Sequence, residues 1–311
     1  MKDKSKTEYT PVKKYTVTEE YSNTRLDNCL ISKLKNLPKS KIYSIIRKGE
    51  VRVNGSRCKH DKRLKEGDII RIPPYNLEKK NSFLPSNSLV DILKKNIIYN
   101  QENILIINKP VGLASHGGSG ISLGLIEAIR QIDKEYKNAH LVHRLDRETS
   151  GCIVLALKRS VLRNLNEEFR EGRVEKKYLA VVKGEWPGNL NLVKSNLKKN
   201  ILRSGEREVQ IHSDGKESKT RFNLVKKNKD LSLIECELVT GRTHQIRVQT
   251  SNLGYPILGD KKYGDSVINN KFKQKGLNRM LLHAKSITFP KFQIFCKSQE
   301  PPIFKKIMSN S

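Results

Sequence analysis

The chain has few cysteines and no long apolar run. Its five cysteines are scattered through 311 residues, and no two have the spacing of a zinc knuckle or a redox pair. No run approaches the roughly 18 apolar residues that a membrane span needs, and the N-terminus lacks the apolar core of a signal peptide. We therefore expect a soluble, cytoplasmic protein with reduced, mostly structural thiols at Cys29, Cys58, Cys152, Cys236 and Cys296.

Metal and nucleotide motifs are also missing. His140 and His143 are spaced as a metal-binding pair, but no cysteine or further histidine lies close to them in the sequence. The loop GLASHGGSGIS contains four glycines, yet it lacks the GxGxxG order of a dinucleotide site. We predict no metal site, and two interpretations of the loop stay open: a flexible lip over a site, or an ordinary connection.

Acidic residues are scarce relative to basic ones. Lysine and arginine total 61 against 32 aspartates and glutamates, which gives a formal net charge of +29. Self-repulsion on this scale is tolerated mainly when the partner is a polyanion. Because the basic residues run through the whole chain, they favour nucleic acid over an anionic membrane surface.

The first 75 residues predict a tail followed by a small folded unit. Residues 1–14 combine lysines with Ser, Thr and Pro and lack an apolar period, which indicates a basic, flexible tail. Within residues 15–75, two sets of apolar residues at helical spacing predict two short helices. The pair Asn54-Gly55 predicts a tight hairpin turn, and Gly67-Asp68 predicts a second turn before a strand at residues 69–72.

Basic side chains are interleaved with these elements. A charge run of this kind marks either a solvated face or a surface that contacts phosphates. The pieces RLDNCLISKL, SKIYSIIRKGEVRVNG and LKEGDIIRI resemble, in this order, the alpha-L RNA-binding module of a small-subunit ribosomal protein. That resemblance implies RNA contacts from Lys41, Arg47 and Arg52.

The rest of the chain predicts a second domain. A polar linker is expected at residues 76–90 and the domain itself at residues 91–311. Apolar segments predict strands near residues 104, 152, 178, 220 and 232. Helices are expected at residues 125–132, with Ser122 as the cap, and at residues 243–253, where Gly254 ends the helix.

The stretch LVHRLDRETSGCIVLAL holds an acid in an unusual place. Asp146 lies between Arg144 and Arg147, shortly before six apolar residues, Cys152–Leu157, that predict a strand buried on both faces. An ionised carboxylate near a core is costly unless it is paired, so an arginine partner is expected. Two interpretations stay open on these grounds: an ion pair that only fixes the fold, and a nucleophile held rigidly at the floor of a pocket.

Motifs along nearly the whole chain resemble those of one enzyme family, the pseudouridine synthases related to the large-subunit ribosomal enzymes. The matching segments, in order, are INKPVGLASHGGSG, HRLDRETSG, EKKYLAVVKGEWP, SNLKKNI, SGEREV, VTGRTHQIRVQTSNLGYPILGDKKYG and LLHAKSI. The resemblance implies an α+β fold, in which the alpha-L module precedes a catalytic domain with a mixed, mainly antiparallel sheet flanked by helices. The active cleft is expected across the middle of that sheet.

The same resemblance implies a reaction and its residues. The family isomerises uridine to pseudouridine in large-subunit (23S) ribosomal RNA, without a cofactor, and we expect a monomer. Asp146 is implied to be the catalytic residue, either attacking the sugar or the uracil ring or removing a sugar proton. Tyr178 is implied to stack on the uracil and to take part in removing its ring proton, and Arg247 to pair with Asp146 and favour its ionised form.

The remaining site residues are implied to manage the RNA. A uridine inside a folded RNA has to be extruded, so a side chain is needed that fills the gap or grips the displaced backbone. Arg144, beside His143, is the candidate for that task, and Arg147 is expected to anchor a phosphate or the turn itself. Arg242 and His244 are expected to make general phosphate contacts.

Two other classes of function are weighed against this one. A non-catalytic RNA-binding or assembly protein would fit the charge and the first module equally well. Such a protein would be expected to lose at least one of Asp146, Tyr178 and Arg247, and all three are present. A glycosidase or nuclease would need two acids at one site or a metal cluster, and one acid stands out here.

Overall fold

A computed structural model describes residues 9–34, 37–76, 84–118, 123–201 and 207–309 of the chain. The chain divides between residues 82 and 83 into two compact units. Each unit has an apolar core of its own. Within the described ranges, none of the helices has the length and apolar character that crossing a bilayer requires.

The first unit consists of two helices and a small sheet. Its three strands run antiparallel in the order β1-β3-β2. Leu26 and Leu30 on one helix and Ile42, Ile45 and Ile46 on the other are buried, which confirms the two predicted helices. The elements are β1 (Lys13–Thr16), α1 (Leu26–Lys33), α2 (Lys39–Arg47), β2 (Arg52–Val53) and β3 (Ile69–Ile72), with a 3-10 turn at Glu19–Tyr21.

One feature of this unit differs from the sequence prediction. The flexible tail predicted for residues 1–14 is wrong for its described part, because Thr10 is buried and bonded to Tyr75, and β1 begins at Lys13; residues 1–8 lie outside the described residues.

The predicted turn at Asn54-Gly55 is present, with positive φ at both residues. Val53 and Ser56 exchange two backbone hydrogen bonds of 3.0 Å across this turn, and on its other side β2 pairs with β3.

The second unit is built on one large sheet. Its elements are α3 (Asn87–Lys95), β4 (Ile97–Gln101), β5 (Ile104–Lys109), α4 (Leu125–Ile132), β6 (His140–Leu141), β7 (Ser150–Ala156), α5 (Arg159–Arg170), β8 (Glu175–Lys183), β9 (Leu192–Ile201), β10 (Arg207–Ile211), β11 (Lys216–Lys227), β12 (Leu231–Leu238), α6 (Gln245–Asn252), α7 (Ser266–Lys273), β13 (Leu282–Phe289), β14 (Ile294–Lys297) and α8 (Pro302–Ser309), with 3-10 turns at Glu135–Asn138 and Pro290–Phe292.

The eleven strands that the structure describes here follow the order β10-β9-β11-β12-β8-β13-β7-β5-β4, with β14 on β13 and β6 on β7. Every pairing in the described sheet is antiparallel except that of β13 with β7, which confirms the predicted mixed, mainly antiparallel sheet.

The strand after Asp146 is covered on both faces. All seven residues of β7 are buried. Ile153 and Leu155 belong to the core cluster that includes α4, whereas Cys152 and Val154 belong to the cluster on the opposite face, which includes residues of α5. This alternation confirms the predicted doubly buried strand, and it fixes the residues before β7 against a rigid base.

The start of the second unit also differs from the prediction. The linker expected at residues 76–90 is replaced over its last four residues by α3, which begins at Asn87. The Ser86 hydroxyl caps this helix by accepting from the Leu89 N–H, and Leu93 is fully buried. The predicted cap Ser122 lies outside the described residues, and α4 begins after Gly124, whose N–H donates to the Glu127 carboxylate.

Gly151 lies in the only parallel pairing of the described sheet, that of β13 with β7, and we predict that replacing it lowers the stability. Gly151 has φ +108° and lies against the Ala284 backbone, where an added Cβ would come within 2.2 Å of the Ala284 carbonyl oxygen. We expect Gly151→Ala to lower the free energy of unfolding by about 3 kcal/mol, because both the backbone angle and the contact are strained. The measurement is a denaturant unfolding curve of the full-length protein.

The matched control is Gly188→Ala, because no atom lies within 4 Å of the added Cβ at that position. We expect this variant to stay within about 0.5 kcal/mol of the wild type. Equal stability of the two variants would contradict the account of the β7–β13 junction.

Candidate active site

Asp146 lies in the turn that leads into β7 and lines a cleft of the second unit. The cleft is formed by residues 144–146 with Thr149, by Tyr178 of β8, and by residues 241–247 at the start of α6, with Leu238 and Leu282 completing its wall. Because β8 is the central strand of the sheet order, the cleft lies over the middle of the sheet. Asp146, Tyr178 and Arg247 are therefore brought together, although they are far apart in the sequence.

The loop after β5 braces the backbone on both sides of Asp146. The Ser115 hydroxyl donates to the Leu145 carbonyl at 2.6 Å and accepts from the Leu145 N–H at 3.0 Å. Beyond the aspartate, the Gly112 N–H donates to the Arg147 carbonyl, and Arg147 Nε donates to the Gly112 carbonyl, each at 2.9 Å. The described part of this glycine-containing loop thus holds the aspartate turn in place; residues 119–122 lie outside the described residues.

A buried lysine reinforces this brace. Lys109 at the end of β5 has no exposed surface, and its ammonium donates to the carbonyls of Pro110, Leu113 and Arg147 at 2.7 to 3.2 Å. Burial, together with the positive charge of Arg279, lowers the pKa of Lys109 to about 7. The sequence motif INKP contains this lysine, but its role could not be assigned because its partners are backbone carbonyls.

Arg247 holds Asp146 and is itself held by a second acid. Arg247 Nη1 donates to Asp146 Oδ2 at 3.0 Å, while its Nε and Nη2 donate to the two carboxylate oxygens of Asp260 at 2.8 and 2.9 Å. Burial alone would lower the pKa of Arg247, but the hydrogen bonds and charges of the two aspartates outweigh it and raise that pKa. Burial would raise the pKa of Asp260, and the bonds from Arg247 lower it instead.

Asp260 was not singled out by the sequence. Its side chain is 1% exposed, whereas that of Asp146 is 21% exposed, so the anchoring acid is sealed and the other acid faces the cleft. Asp260 Oδ1 also accepts from the N–H groups of Lys262 and Tyr263, which tie it to the loop after α6. The one available signal is the stretch GDKKYG, which was matched as a motif without a role for its aspartate.

Buried amides fasten α6, the helix that carries Arg247. The Gln245 side chain donates to Lys219 O and Thr220 Oγ1 and accepts from Arg242 N at 2.8 to 3.0 Å. One turn later, Gln249 Oε1 accepts from Thr220 Oγ1 at 2.6 Å. All residues from Gln245 to Thr250 are buried, and side-chain hydrogen bonds to β11 fix this helix together with the apolar contacts of Ile246 and Val248.

Tyr178 is 8% exposed and lies between β12 and β13, opposite Cys236 and Ala284. Burial, with a contribution from the negative charge of Asp146, raises the pKa of Tyr178 well above its usual range. Its phenol is therefore neutral at any physiological pH. A neutral ring in this cleft can stack against a planar base and donate a hydrogen bond.

His244 contacts Asp146 from another side. Its Nε2 lies 3.6 Å from Asp146 Oδ1, and its Nδ1 lies 2.9 Å from the Tyr263 hydroxyl. Burial is the main cause that lowers the pKa of His244, and the nearby Asp146 carboxylate opposes it. The residue has φ +54° immediately before α6, a strained backbone position of the kind that clusters at functional sites.

The four remaining residues predicted in this domain separate into two pairs. Arg144 and Arg242 are exposed and line the cleft. Arg147 anchors the turn through Gly112, one of its two expected roles, and is absent from the cleft lining in the described chain. His143, also expected to bind RNA, contributes to the fold: its Nε2 accepts from the Val154 N–H and its ring stacks on Phe169 with the centroids 5.2 Å apart.

The partners of the His143 ring lie on the sheet face opposite to Tyr178. Val154 and Phe169 belong to the core cluster on the face opposite Tyr178. Burial, with the positive charge of Lys176, lowers the pKa of His143 to about 4, so the ring is a neutral hydrogen-bond acceptor. His143 is therefore a structural residue that fixes the segment before Arg144.

The three basic residues predicted in the first unit are exposed. Arg47 lines a shallow pocket with Tyr43, Arg57, Lys59 and His60, in which the Tyr43 and His60 rings meet edge to face. Arg52 Nη1 donates to the Gly55 carbonyl at the hairpin turn. Lys41 lies on the exposed side of α2. Cations beside aromatic rings are suited to RNA backbone and base contacts.

Metal ligands are not clustered in the part of the chain that the structure describes: no group of three or more His, Cys, Asp or Glu side chains could hold an ion there. His140, the partner of His143 in the metal-binding spacing, lies on β6. The five cysteines are free thiols, and four of them are buried.

The Arg247–Asp260 pair predicts a pH-dependent stability. The pKa of Asp260 is lower in the folded protein than the unfolded value of about 3.9, so the pair stabilises the fold above that pH and is lost as the pH falls further. We expect Asp260→Asn to lower the free energy of unfolding by about 3 kcal/mol at pH 7, since Nε and Nη2 of the buried Arg247 guanidinium lose their charged acceptor. The deficit should shrink below about pH 4.

Unfolding curves of wild type and variant across this pH range measure the difference. The matched control is Asp214→Asn, which removes an exposed acid that pairs with Lys198 at the surface. A deficit in Asp260→Asn that is independent of pH would contradict the ionic origin of the stabilisation.

Comparison with family models identifies two domains. Residues 103–252 match the model described as RNA pseudouridylate synthase, and residues 24–70 match the model of the S4 domain. The first match contains Asp146, Tyr178 and Arg247, and the second contains α1, α2 and the small sheet's β2.

Individual relatives and a solved structure are also pseudouridine synthases by name. The chain is 47% identical over 277 residues to the ribosomal large subunit pseudouridine synthase C of Haemophilus ducreyi. These residues cover 88% of this chain and 87% of that protein. It is 46% identical over 288 residues to the protein of the same name from Escherichia coli K12, with 91% and 90% covered. The solved structure of human RNA Pseudouridylate Synthase Domain Containing 4 has a TM-score of 0.59 at 27% identity, covering 71% of this chain and 94% of that chain. The chain therefore belongs to the RNA pseudouridine synthases, a family of isomerases, and carries an S4 domain before its catalytic domain.

Proposed function

We propose that the enzyme isomerises specific uridines to pseudouridine in large-subunit (23S) ribosomal RNA, with Asp146 as its catalytic residue. The substrate follows from the names of relatives that match about nine tenths of the chain. The residue assignment is supported by one observation above all, the partly exposed carboxylate of Asp146 held by Arg247 in the cleft. Such an enzyme would work in the cytoplasm, where large subunits are assembled.

The reaction needs one well-placed carboxylate. The bond between uracil N1 and the sugar C1′ breaks, a bond forms between C1′ and C5, the proton on C5 leaves, and N1 gains a proton. Atoms and electrons balance without an oxidant or reductant. Asp146 would act either as a nucleophile on the sugar or the uracil ring, or as the base that removes a sugar proton, and both routes need an ionised, fixed carboxylate.

Arg247 fixes that carboxylate. Its Nη1–H donates to Asp146 Oδ2 and sets the orientation of the carboxylate plane. The two hydrogen bonds to Asp260 hold the Arg247 guanidinium in place, so that it stays on Asp146 when the substrate binds. The arrangement satisfies the need for a partner to Asp146 and leaves that acid open to the cleft.

Tyr178 is assigned to substrate binding. Removing the C5 proton by this side chain would need a phenolate, which the raised pKa of Tyr178 disfavours. A neutral phenol can stack on the uracil and donate a hydrogen bond to it. Loss of the C5 proton is then left to another acceptor, such as a water molecule or the Asp146 carboxylate once its earlier step is complete.

Arg144 and Arg242 are assigned to the RNA that surrounds the target. Both are exposed guanidinium groups at the same cleft as Asp146. Extruding a uridine costs a few kcal/mol of stacking energy, about 2 to 4, which a cation on the displaced backbone offsets. Arg144 precedes Asp146 by two residues, so its side chain is placed to fill the gap that the extruded uridine leaves between the stacked bases.

Asp146→Asn tests the catalytic assignment. We expect the rate of pseudouridine formation on a 23S RNA fragment to fall at least about a thousandfold, because the amide can neither attack nor accept a proton. RNA binding should change by less than about threefold. The control is Glu148→Gln, a neighbouring acid in the same turn, and a Glu148→Gln enzyme as slow as Asp146→Asn would argue against a specific role for Asp146.

The S4 domain gives a second prediction, on affinity. Replacing Lys41, Arg47 and Arg52 together by alanine should weaken binding of the RNA fragment and reduce the slope of log affinity against log salt by about 1 for each phosphate contact that is lost. The turnover rate at saturating RNA should stay near the wild-type value. Binding is measured by filter retention at several salt concentrations.

The matched control removes three exposed lysines of the second unit, Lys94, Lys95 and Lys305. These residues have the same total charge, so a purely non-specific effect would lower affinity equally in both triple variants. That outcome would contradict a localised RNA contact in the S4 domain.

A further inference from the structure

Tyr263 and His244 connect an edge strand of the sheet to Asp146. The Val209 N–H on β10 donates to the Tyr263 hydroxyl at 3.0 Å, and this hydroxyl lies 2.9 Å from His244 Nδ1. The other ring nitrogen of His244 lies 3.6 Å from Asp146 Oδ1. A continuous series of polar contacts therefore ends at the carboxylate oxygen that Arg247 does not bind.

The chemistry of the contacts selects one tautomer of His244. A neutral imidazole has one donor and one acceptor nitrogen. If Nε2 were the acceptor, its lone pair would face the Asp146 carboxylate, which is unfavourable. With the proton on Nε2, the Tyr263 O–H donates to Nδ1 and the Nε2–H points towards Asp146, so every group finds a partner of opposite polarity.

Packing holds both side chains in place. The His244 and Tyr263 rings meet edge to face with the centroids 5.5 Å apart, and the Arg247 guanidinium lies over the Tyr263 ring at 5.0 Å. Tyr263 also packs beside Leu197, Val209 and Val248. The tyrosine ring is therefore fixed by contacts that do not involve its hydroxyl, and the hydroxyl is free to set the orientation of the histidine ring.

We propose that His244 is a positioning residue for Asp146, oriented by the Tyr263 hydroxyl, and that it donates from Nε2 to Asp146 Oδ1 when RNA is bound. This inference rests on the proposed catalytic function of Asp146. The separation of 3.6 Å exceeds a hydrogen bond by about 0.5 Å, and such contacts commonly tighten in the substrate complex. With Arg247 on Oδ2 and His244 on Oδ1, the carboxylate can no longer rotate about its Cβ–Cγ bond.

This role differs from the general phosphate contact that the sequence suggests for His244. Its side chain is 15% exposed, and both ring nitrogens face other protein groups. A phosphate-binding residue would change affinity for RNA, whereas a positioning residue changes the rate of the chemical step.

The tautomer can be measured without activity. Nitrogen-15 NMR spectra of the full-length enzyme at neutral pH, with the signal identified by its loss in His244→Gln, should show His244 protonated on Nε2. A ring protonated on Nδ1 would overturn the proposal, because Nε2 would then have no hydrogen to donate.

Single-turnover rates at saturating 23S RNA fragment test the positioning. We expect His244→Leu to be about tenfold slower, equivalent to about 1.4 kcal/mol, and His244→Gln to stay within about threefold of wild type, because its amide nitrogen retains a donor near Nε2. Both replacements lack β-branching, so they bear a similar backbone cost at the positive φ. RNA affinity should change by less than about twofold in each.

The tyrosine is tested in the same assay. We expect Tyr263→Phe to be about threefold slower. The control Tyr136→Phe should keep the wild-type rate, since the Tyr136 hydroxyl accepts a comparable bond from Asn100 and neither residue is part of the described cleft lining. The proposal is overturned if His244→Leu reacts at the wild-type rate, if Leu and Gln are equally slow, or if affinity alone changes.

Asp146→Asn measured in parallel separates this inference from the proposed function. A dead Asp146→Asn enzyme beside a fully active His244→Leu enzyme refutes the positioning role alone. A fully active Asp146→Asn enzyme refutes the catalytic assignment on which the positioning role rests.

Discussion

The guanidinium of Arg247 is the group on which the active site depends. It is nearly buried between two carboxylates, and its planar fork has fixed directions for donation. Because Asp260 occupies the edge formed by Nε and Nη2, Nη1 is left for Asp146 in a single geometry. The position of the Asp146 carboxylate is therefore determined by the ion pair of Arg247 with Asp260, an acid that is sealed from solvent and absent from the described cleft lining.

Other hydrogen bonds fix the two segments that meet in this interaction, the turn that carries Asp146 and the helix that carries Arg247. On one end, Ser115, Gly112 and Lys109 fix the backbone around Asp146 from the loop after β5. On the other end, the buried amides of Gln245 and Gln249 fasten α6 to the sheet. Both attachments are polar, so each depends on direction as well as proximity, which suits a site that has to be accurate to a fraction of an ångström.

Sequence patterns predicted what depends on local periodicity. The apolar run of β7 and the spacing of α1 and α2 indicated these elements, and the family resemblance indicated Asp146, Tyr178 and Arg247, which the fold brings to one cleft. Asp260 was missed because its pairing with Arg247 crosses a loop and leaves no periodic signal. The contacts of His143 with Val154 and Phe169 were not predicted, because a neighbouring residue in a motif can point to the opposite face of a sheet. β1 and α3 were missed because they bury few side chains.

The most direct test of the catalytic claim is a map of pseudouridine along 23S ribosomal RNA in cells that lack the gene. The account predicts that specific pseudouridines disappear, that they return when the wild-type gene is restored, and that they stay absent when the restored gene carries Asp146→Asn. Return of the same pseudouridines with the asparagine variant would contradict it.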